Sequence, residues 1–247
     1  VDPIRDIEII NLELIFADIE TVDKRLEKAK KMLKADKKYQ EEIKLLEKIK
    51  SNLENEMPAR SLEYNEEEKE ILKDMFLLTS KPIIYVANVS EEQLENCDKD
   101  KQVLKVKEYA KKENSEVIPL SIKIEEELSS LDELDKKEML EALGLKESGL
   151  DKLIKKSYDL LGLMSFLTAG EPEVRAWTIK KGTKAPQAAG KIHSDIERGF
   201  IKAEVVSYND LIECGSMVQA KERGLVRQEG KDYIMQDGDI VLFKFNV

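Results

Sequence analysis

The stretch Lys81-Pro-Ile-Ile-Tyr-Val-Ala-Asn-Val-Ser-Glu91 decides the fold of this chain. Residues 81–88 are almost continuously apolar, which is typical of a parallel strand covered on both faces. A helical pattern over residues 103–112 follows, and then a second apolar segment over residues 116–120. A strand, a helix and a strand in this order predict a parallel pair with a right-handed crossover. The central part of the chain is therefore predicted to be an α/β sheet.

Polar motifs follow both predicted strands. The first strand runs into Asn88-Val89-Ser90-Glu91, and the second runs into Ser121-Ile122-Lys123. Ligands of open α/β sheets bind at the carboxyl ends of parallel strands, so both motifs lie where a ligand would bind. The first motif is an altered form of the Asn-Lys-x-Asp sequence that reads guanine, and the second stands where a nucleotide fold places a backbone loop against the base. We therefore predict a nucleotide-base site at Asn88, Val89, Glu91, Ser121, Ile122 and Lys123.

Three residues of the first motif have expected roles. Asn88 would bridge the base and the phosphate loop, whereas a main-chain group of Val89 would reach the base edge and its side chain would pack on the ring. Glu91 is one methylene longer than the usual Asp, and it therefore fits guanine poorly. The alternative is that this segment only caps a helix that begins near Glu91.

The groups that bind phosphate are missing from the sequence. A phosphate loop has the pattern Gly-x-x-x-x-Gly-Lys-Ser/Thr, whose backbone N–H groups surround the phosphates. Gly190-Lys191 and Gly230-Lys231 both lack the residues that must surround this pair. The first 80 residues contain no Asp-x-x-Gly after a strand, so the magnesium motif is absent as well. The chain is therefore predicted to contain only the base-binding side of a nucleotide site, without a catalytic residue or a Mg²⁺ ligand of its own.

The composition excludes several classes of protein. The formal net charge is −10, and charged residues make up 37% of the chain. Bulk attraction to nucleic acid or to an anionic membrane is not expected at this charge, and no DNA or membrane partner is predicted. No apolar run approaches the roughly 20 residues of a membrane span, and no signal peptide is recognised. Cys97 and Cys214 are interpreted as free thiols in a reducing compartment.

The first 80 residues have a helical pattern. Asp2 and Pro3 are typical of a helix start, and the chain begins at Val1 without Met, which suggests a processed or truncated product. Two Lys- and Glu-rich periodic runs, interrupted at residues 35–38, predict an antiparallel coiled-coil hairpin. Such a hairpin is either a partner-docking arm or a self-packed, solvated pair of helices. A helix over residues 66–78, capped by Asn65, follows it.

The last 80 residues have the pattern of a small α+β module. Strands are predicted over residues 173–179 and 201–206, with a short helix from about Ala188 between them. Residues 233–235 and 240–245 flank Asp237-Gly238 and predict a terminal hairpin. This order is typical of a ubiquitin-like β-grasp module. Further helices are predicted over residues 124–128, 136–143 and 149–161, ahead of the module.

The module also contains the chain's single His and single Trp. His193 is interpreted as a surface or half-buried structural residue rather than a general base, and Trp177 as a core residue. Lys180, Lys181, Lys184 and Lys191 fall in a stretch without an acid. They form either a patch that contacts RNA or simply a solvated face.

Several stretches together resemble the YchF / Obg-like ATPase family. They are Val1-Asp-Pro-Ile-Arg-Asp-Ile-Glu8, Asn88-Val-Ser-Glu91, Phe166-Leu-Thr-Ala-Gly170, Glu173-Val-Arg-Ala-Trp-Thr-Ile-Lys180 and Gly182-Thr-Lys-Ala-Pro-Gln-Ala-Ala-Gly-Lys-Ile-His193. The last stretch is the longest and most specific, and the resemblance extends over the whole chain. Ser121-Ile122-Lys123 departs from the family's usual small middle residue.

The resemblance implies a domain layout. The family has a Ras-like P-loop domain, interrupted by a helical coiled coil and followed by a C-terminal TGS domain of the β-grasp type. In that layout residues 1–16 are a remnant helix of the nucleotide domain, and residues 17–79 form the coiled coil. Residues 80–165 are then the base-side half of the nucleotide domain, and residues 166–247 are the TGS domain. The fold class is α/β plus α+β, with the phosphate-binding part missing.

The resemblance also implies an activity. Family members hydrolyse ATP in preference to GTP or alongside it, they use Mg²⁺, and they associate with ribosomes in the cytoplasm. The family's catalytic His would precede Val1, and His193 does not match it. The expected function is therefore that of the C-terminal part of a ribosome-associated ATPase, inactive alone. The alternative is a non-catalytic module that docks on the ribosome or its RNA through the coiled coil and the TGS domain.

Overall fold

A computed structural model describes residues 2–34, 36–170 and 173–246. The chain ends Val1 and Val247 and the predicted interruption at Ala35 lie outside the described residues. The chain divides into two compact units, Val1–Leu153 and Ile154–Val247. The first contains a helical hairpin and a parallel strand pair, and the second contains a mixed five-stranded sheet. The fold is thus a mixed α/β architecture.

A long helix and a shorter one form the hairpin. Helix α1 spans Pro3–Leu33 and begins at the predicted cap, where Asp2 accepts a hydrogen bond from the Ile4 N–H at 3.2 Å. It is continuous through residues 16 and 17, because buried residues recur every three or four positions from Ile15 to Ala29. Helix α2 spans Tyr39–Glu54 and packs against α1 through apolar residues. The antiparallel hairpin core is thus formed by the periodic runs.

Helix α3 is shorter than predicted. It spans Glu66–Lys73 instead of reaching Leu78, and Asn65 caps it as expected. The chain then turns at Phe76, which has a φ of +52°. Asp18, in the middle of α1, is 2% exposed and accepts hydrogen bonds from the N–H groups of Leu78 and Thr79 at 2.8 and 2.7 Å. Because Asp18 of α1 binds these two N–H groups, they are not available to α3, and α3 ends before Leu78.

Strands β1 and β2 form the predicted parallel pair. Strand β1 spans Ile84–Asn88, and β2 spans Glu116–Leu120. Between them lie α4, Glu91–Leu94, and α5, Lys101–Lys112. Strand β1 starts later than predicted and is only partly covered, since Val86 is 43% exposed. The expectation of a strand covered on both faces is therefore wrong for the described residues, in which β2 is the only strand beside β1.

Helices continue the chain after β2. They are α6, Ile122–Ser129, α7, Glu133–Ala142, and α8, Gly149–Leu160. Each of these three helices was predicted, although α6 and α7 begin two to three residues earlier than expected. No described helix is both long enough and apolar enough to span a bilayer.

The second unit has one sheet with strand order β4-β3-β7-β5-β6. Its strands are β3, Leu163–Ala169, β4, Val174–Lys180, β5, Phe200–Ser207, β6, Arg227–Glu229, and β7, Asp239–Phe245. Its helices are α9, Ala185–Ile192, α10, Ser194–Arg198, α11, Tyr208–Cys214, and α12, Met217–Glu222. One apolar cluster joins the sheet to α9, and a smaller one joins it to α11 and α12.

The predicted terminal hairpin is wrong. Strand β7 pairs antiparallel with β5 and parallel with β3, whereas Ile234 makes only an isolated bridge with Lys184. Asp237-Gly238 does form a turn, but the turn binds β3: the Ser165 N–H donates to Asp237 Oδ1 at 2.8 Å, and the Gly238 N–H donates to the Ser165 carbonyl. The Asp-Gly signal indicates a turn, but it does not specify which strand the following residues pair with. Strand β3 and helices α11 and α12 were not predicted.

Candidate functional site: a nucleotide-base rim

The polar motifs of the sequence meet at one edge of the strand pair. Strands β1 and β2 are parallel, and Asn88 is opposite Leu120 in their register. The Val89 N–H donates to the Leu120 carbonyl at 3.0 Å and extends the ladder by one residue. The segments after both strands therefore leave the sheet at the same edge, where α/β proteins bind ligands. We call the predicted residues Asn88, Val89, Glu91, Ser121, Ile122 and Lys123 the base rim.

A side-chain hydrogen bond joins the two segments. Asn88 Oδ1 accepts from the Ile122 N–H at 3.2 Å. Ile122 is the first residue of α6, so this bond satisfies one of the main-chain donors that a helix leaves unpaired at its start. Asn88 is itself exposed, whereas Ser121 is 3% exposed between the two segments. The bond therefore holds the two parts of the base rim in a fixed relation.

Ser90 performs the capping role that the sequence left open. Its hydroxyl oxygen accepts from the Gln93 N–H at 3.3 Å, and Gln93 Oε1 accepts from the Ser90 N–H at 3.0 Å. This reciprocal capping box starts α4 at Glu91. The Glu91 side chain is exposed and takes no part in the cap. Capping and a base-binding role for Glu91 are thus compatible, because different residues of the motif provide them.

The base rim borders a shallow depression. Its volume is about 500 Å³, and it is lined by Asn88, Val89, Ser90, Glu91, Glu92, Ser121 and Lys123. The structure thus brings together five of the six predicted residues. Ile122 is not in the lining, and its side chain is 57% exposed. Its contribution to the site is the N–H that binds Asn88.

The depression offers both hydrogen-bond acceptors and donors. Glu91 and Glu92 supply carboxylates, and Lys123 is the one cation among the described residues that line it. The Val89 N–H is already bonded to Leu120, which leaves its carbonyl oxygen as the main-chain group for a ligand. The Val89 side chain is only 8% exposed, so it presents little surface for a ring to pack on. Such a site can bind a neutral base with amino groups but cannot neutralise a triphosphate.

One carboxylate behind the base rim has a shifted pKa. Asp100 caps α5, and hydrogen bonds from the Val103 and Gln102 N–H groups hold its pKa below the usual value. It also accepts from Gln93 Nε2 at 3.1 Å, which ties α5 to the capping box of α4. Within the described ranges, no three His, Cys, Asp or Glu side chains are grouped so that they could hold a metal ion.

Acidic side chains pair with two lysines of the predicted RNA patch. Lys181 pairs with Asp159 at 2.8 Å, and Lys184 pairs with Asp232 at 2.7 Å. Lys180 lies at the end of β4, and Lys191 lies on α9. Two of the four positive charges are therefore matched by an acid that is distant in sequence. The absence of acids within a short stretch did not reveal these partners.

His193 and Trp177 have structural contacts. His193 Nδ1 accepts from the Asp195 N–H at 3.2 Å and caps α10. The Trp177 indole N–H donates to Thr168 Oγ1 at 2.9 Å, and its ring stacks on Phe166. Trp177 remains partly exposed at the margin of the core rather than filling it.

Sequence reasoning missed two residues of the depression, Ser90 and Glu92. The Ser-x-x-Gln spacing from Ser90 to Gln93 was an available signal for the capping box. Glu92 had no such signal, since adjacent exposed acids are common at a helix start.

Known relatives match the whole chain, and a family model matches its C-terminal third. A family model named YchF-GTPase_C, described as a protein of unknown function (DUF933), matches residues 163–246. A Bacillus subtilis protein named "Ribosome-binding ATPase YchF" is 56% identical over 248 residues, which cover 100% of this chain and 68% of the relative. A rat protein named "Obg-like ATPase 1" is 45% identical over 252 residues, which cover 100% of this chain and 63% of the relative.

A solved structure agrees with the fold. The YchF GTPase of Schizosaccharomyces pombe matches with a TM-score of 0.83 and 38% sequence identity. The match covers 99% of this chain and 66% of that structure's chain. Both comparisons thus align this chain with about two thirds of a longer protein.

Proposed function

Since the chain belongs to the YchF / Obg-like ATPase family, we propose that it is the C-terminal part of a ribosome-binding ATPase whose base rim binds the nucleotide base. The observation that carries this proposal is the convergence of the segments after β1 and β2, joined by the bond from the Ile122 N–H to Asn88. The names of the relatives supply the reaction class and the partner. In the proposed layout the α1–α2 hairpin belongs to the coiled coil, and the sheet of the second unit to the TGS domain.

The acceptors of the base rim favour adenine. Adenine carries an amino group where guanine carries the O6 acceptor. The Val89 carbonyl would accept from that amino group and would repel the guanine oxygen. Glu91 replaces the shorter Asp that pairs with guanine, and it is the first residue of α4. ATP is therefore the proposed nucleotide, with GTP as a weaker ligand.

Hydrolysis requires groups beyond the base rim. Phosphoryl transfer depends on a phosphate cradle, Mg²⁺ and a positioned water. Of the described residues that line the depression, only Lys123 is positively charged. We therefore assign the phosphate and Mg²⁺ sites to a part of the protein outside this chain, and we expect the activity to be cytoplasmic, where ribosomes are found. This chain alone is expected to be inactive.

Calorimetric titration of ATP and GTP into the intact protein tests the base rim. We expect Glu91→Asp to raise GTP affinity about tenfold, because a hydrogen bond to a charged group contributes about 1.5–3 kcal/mol. Glu92→Asp, which alters a carboxylate in the same depression, is the matched control and should change neither affinity. In parallel, the 247-residue chain with Mg²⁺ and ATP should release no phosphate.

The results test the role of Glu91, the nucleotide site and the location of catalysis separately. An unchanged GTP affinity in Glu91→Asp would refute the role given to Glu91. Failure of the intact protein to bind either nucleotide would refute the nucleotide site. Phosphate release by the chain alone would refute the assignment of catalysis to another part of the protein.

A docking module is the alternative function. In that case ribosome binding would not depend on nucleotide. Co-sedimentation of the intact protein with ribosomes, with and without a non-hydrolysable ATP analogue, distinguishes the two. A change in ribosome binding with the analogue supports the ATPase, whereas equal binding supports the docking module.

A further inference from the structure

The far half of α1 carries a dense group of positive charges. Residues 24–38 contain eight lysine or arginine residues and two acidic ones, in a chain whose net charge is −10. Residues 2–20, in the first half of the same helix, contain one arginine and six acids. The sign of the charge therefore reverses along a single helix. The positive half is the end that connects to α2.

Four of these lysines lie on one side of α1, and we call them the basic stripe: Lys24, Lys28, Lys31 and Lys34. At about 100° per residue, the first three fall within about 60° of one another, and Lys34 continues the row at the cap. The first three lie about 130–170° from the centre of the face formed by Val22, Leu26, Ala29 and Leu33, which packs in the hairpin core, and Lys34 lies about 110° from it. All four are exposed. The basic stripe thus points away from α2 and spans about 15 Å.

The hairpin does not need the basic stripe for its own stability. Its cross-helix ion pairs use other residues: Arg25 with Glu42, Lys30 with Glu47 at 2.9 Å, and Lys50 with Asp23 at 2.6 Å. Lys24 has only an exposed neighbour on its own helix, Glu20 at 3.7 Å. Lys28, Lys31 and Lys34 form no ion pair with any residue that the structure describes. These three charges are therefore available to a partner.

The helix dipole does not explain the basic stripe either. Cations stabilise a helix within its last turn, and that condition holds for Lys31 and Lys34. Lys24 and Lys28 lie more than one turn before the end at Leu33. A membrane surface is also a poor match, because interfacial helices must present an apolar face to lipid, and here that face is buried against α2.

We propose that the basic stripe binds the phosphate backbone of RNA, as the contact that the hairpin makes with the ribosome; this rests on the ribosome binding proposed above. A row of lysines along about 15 Å, three of which have no ion pair with a described residue, neutralises successive phosphates and releases their counterions. The stripe contains no aromatic or amide side chain that could stack on a base or read its edge. The contact is therefore independent of sequence, and ribosomal RNA binds here through its backbone.

The test uses purified ribosomes and a short RNA duplex as probes. Lys28→Gln/Lys31→Gln/Lys34→Gln removes the three unpaired charges and keeps residues that favour helix. Because each phosphate contact contributes about 0.7–0.9 to the salt slope, the variant should lose about 2–3 from the slope of log K against log salt. This corresponds to an affinity loss on the order of 100-fold at 0.1 M salt. Circular dichroism confirms that the hairpin is folded.

The controls separate position from charge. Lys180→Gln/Lys184→Gln/Lys191→Gln removes the same number of charges from the second unit and should leave the slope unchanged. Lys28→Arg/Lys31→Arg/Lys34→Arg keeps the charge and should keep the binding. If the stripe variant binds RNA like wild type while the control triple variant does not, the contact lies in the second unit and the inference is overturned.

Two other outcomes identify which proposal fails. If the wild-type intact protein does not co-sediment with ribosomes, the proposed function is wrong. If ribosome binding is lost in the stripe variant but binding to the RNA duplex is unchanged, the RNA assignment is overturned and an acidic protein is the partner of the stripe. If the stripe variant loses binding to both ribosomes and the RNA duplex while the arginine variant still binds both, the inference is established.

Discussion

At the scale of the residue, Asp18 shows how one carboxylate joins distant segments. It is 2% exposed, and it accepts hydrogen bonds from the Leu78 N–H, the Thr79 N–H and the Thr79 hydroxyl at 2.8, 2.7 and 2.6 Å. Buried polar groups that lose their partner cost about 1–3 kcal/mol each. Asp18 therefore determines where the chain passes after α3.

We predict that Asp18→Ala lowers the free energy of unfolding by about 2–4 kcal/mol, because three donors lose their acceptor at once. Urea denaturation followed by circular dichroism measures the change. Asp23→Ala, which removes the partly exposed acid of the same helix that pairs with Lys50, is the control and should cost less than 1 kcal/mol. Equal losses in the two variants would show that the main-chain bonds to Asp18 contribute little.

The residues of Asn88-Val89-Ser90-Glu91 make different structural contacts. Ser90 caps α4, Asn88 binds the Ile122 N–H, and Val89 continues the strand ladder. Glu91 is left with an exposed side chain at the depression. Because the Glu91 side chain makes no hydrogen bond to a described residue, it can change without unfolding this segment, which makes Glu91 the informative residue to mutate.

At the scale of the element, the close approach of the start of β5 to the residue after β7 depends on a glycine. Gly199 precedes β5, and its N–H and carbonyl both bond with main-chain groups, of Asp195 and Asn246 respectively. A Cβ at this position would collide with the Asn246 carbonyl oxygen. A backbone atom cannot rotate away as a side chain can, so the last strand would have to shift.

We predict that Gly199→Ala destabilises the second unit by about 1–3 kcal/mol through this overlap. Thermal unfolding followed by the fluorescence of Trp177, the single tryptophan, measures the change in that unit. Gly170→Ala is the matched control, because a Cβ there meets open space. A melting temperature of Gly199→Ala equal to that of Gly170→Ala would contradict the predicted collision.

Elements also account for the errors of the sequence-based predictions. Strand β3 was missed because Leu163–Ala169 follows α8 almost directly and its residues suit either structure. The short strand expected at residues 233–235 was wrong because Tyr233 donates its hydroxyl hydrogen to buried Asp239 at 2.8 Å. That bond holds the segment beside the turn instead of in the sheet. Local propensity contains no information on such distant partners.

At the scale of the whole molecule, charge is distributed by region. The chain carries −10 overall, yet residues 24–38 carry an excess of six positive charges. Exposed charges are screened beyond about 8 Å at physiological salt, so the surface near the basic stripe acts independently of the acidic remainder. A net negative charge argues against bulk attraction to RNA but does not exclude a local contact. Net charge therefore does not decide whether this region contacts RNA.

The sequence by itself determined the hairpin, the parallel strand pair and the positions of the two base-rim motifs. Those features follow from helical periodicity, strand order and the rule that parallel strands present their carboxyl ends at one edge. The sequence also indicated the family, and it lacks the phosphate-loop pattern. Each of these properties depends on residues that are near one another in sequence.

Only the tertiary structure decided which strand β7 joins, that Asn88 binds the Ile122 N–H, and that acids distant in sequence pair with Lys181 and Lys184. It also left Lys28, Lys31 and Lys34 without an acid among the described residues. Contacts between residues 20 to 100 positions apart depend on how packed elements bring them together, and no local pattern encodes that distance. The physical reason is that hydrogen bonds and ion pairs act over a few ångströms in space, regardless of separation along the chain.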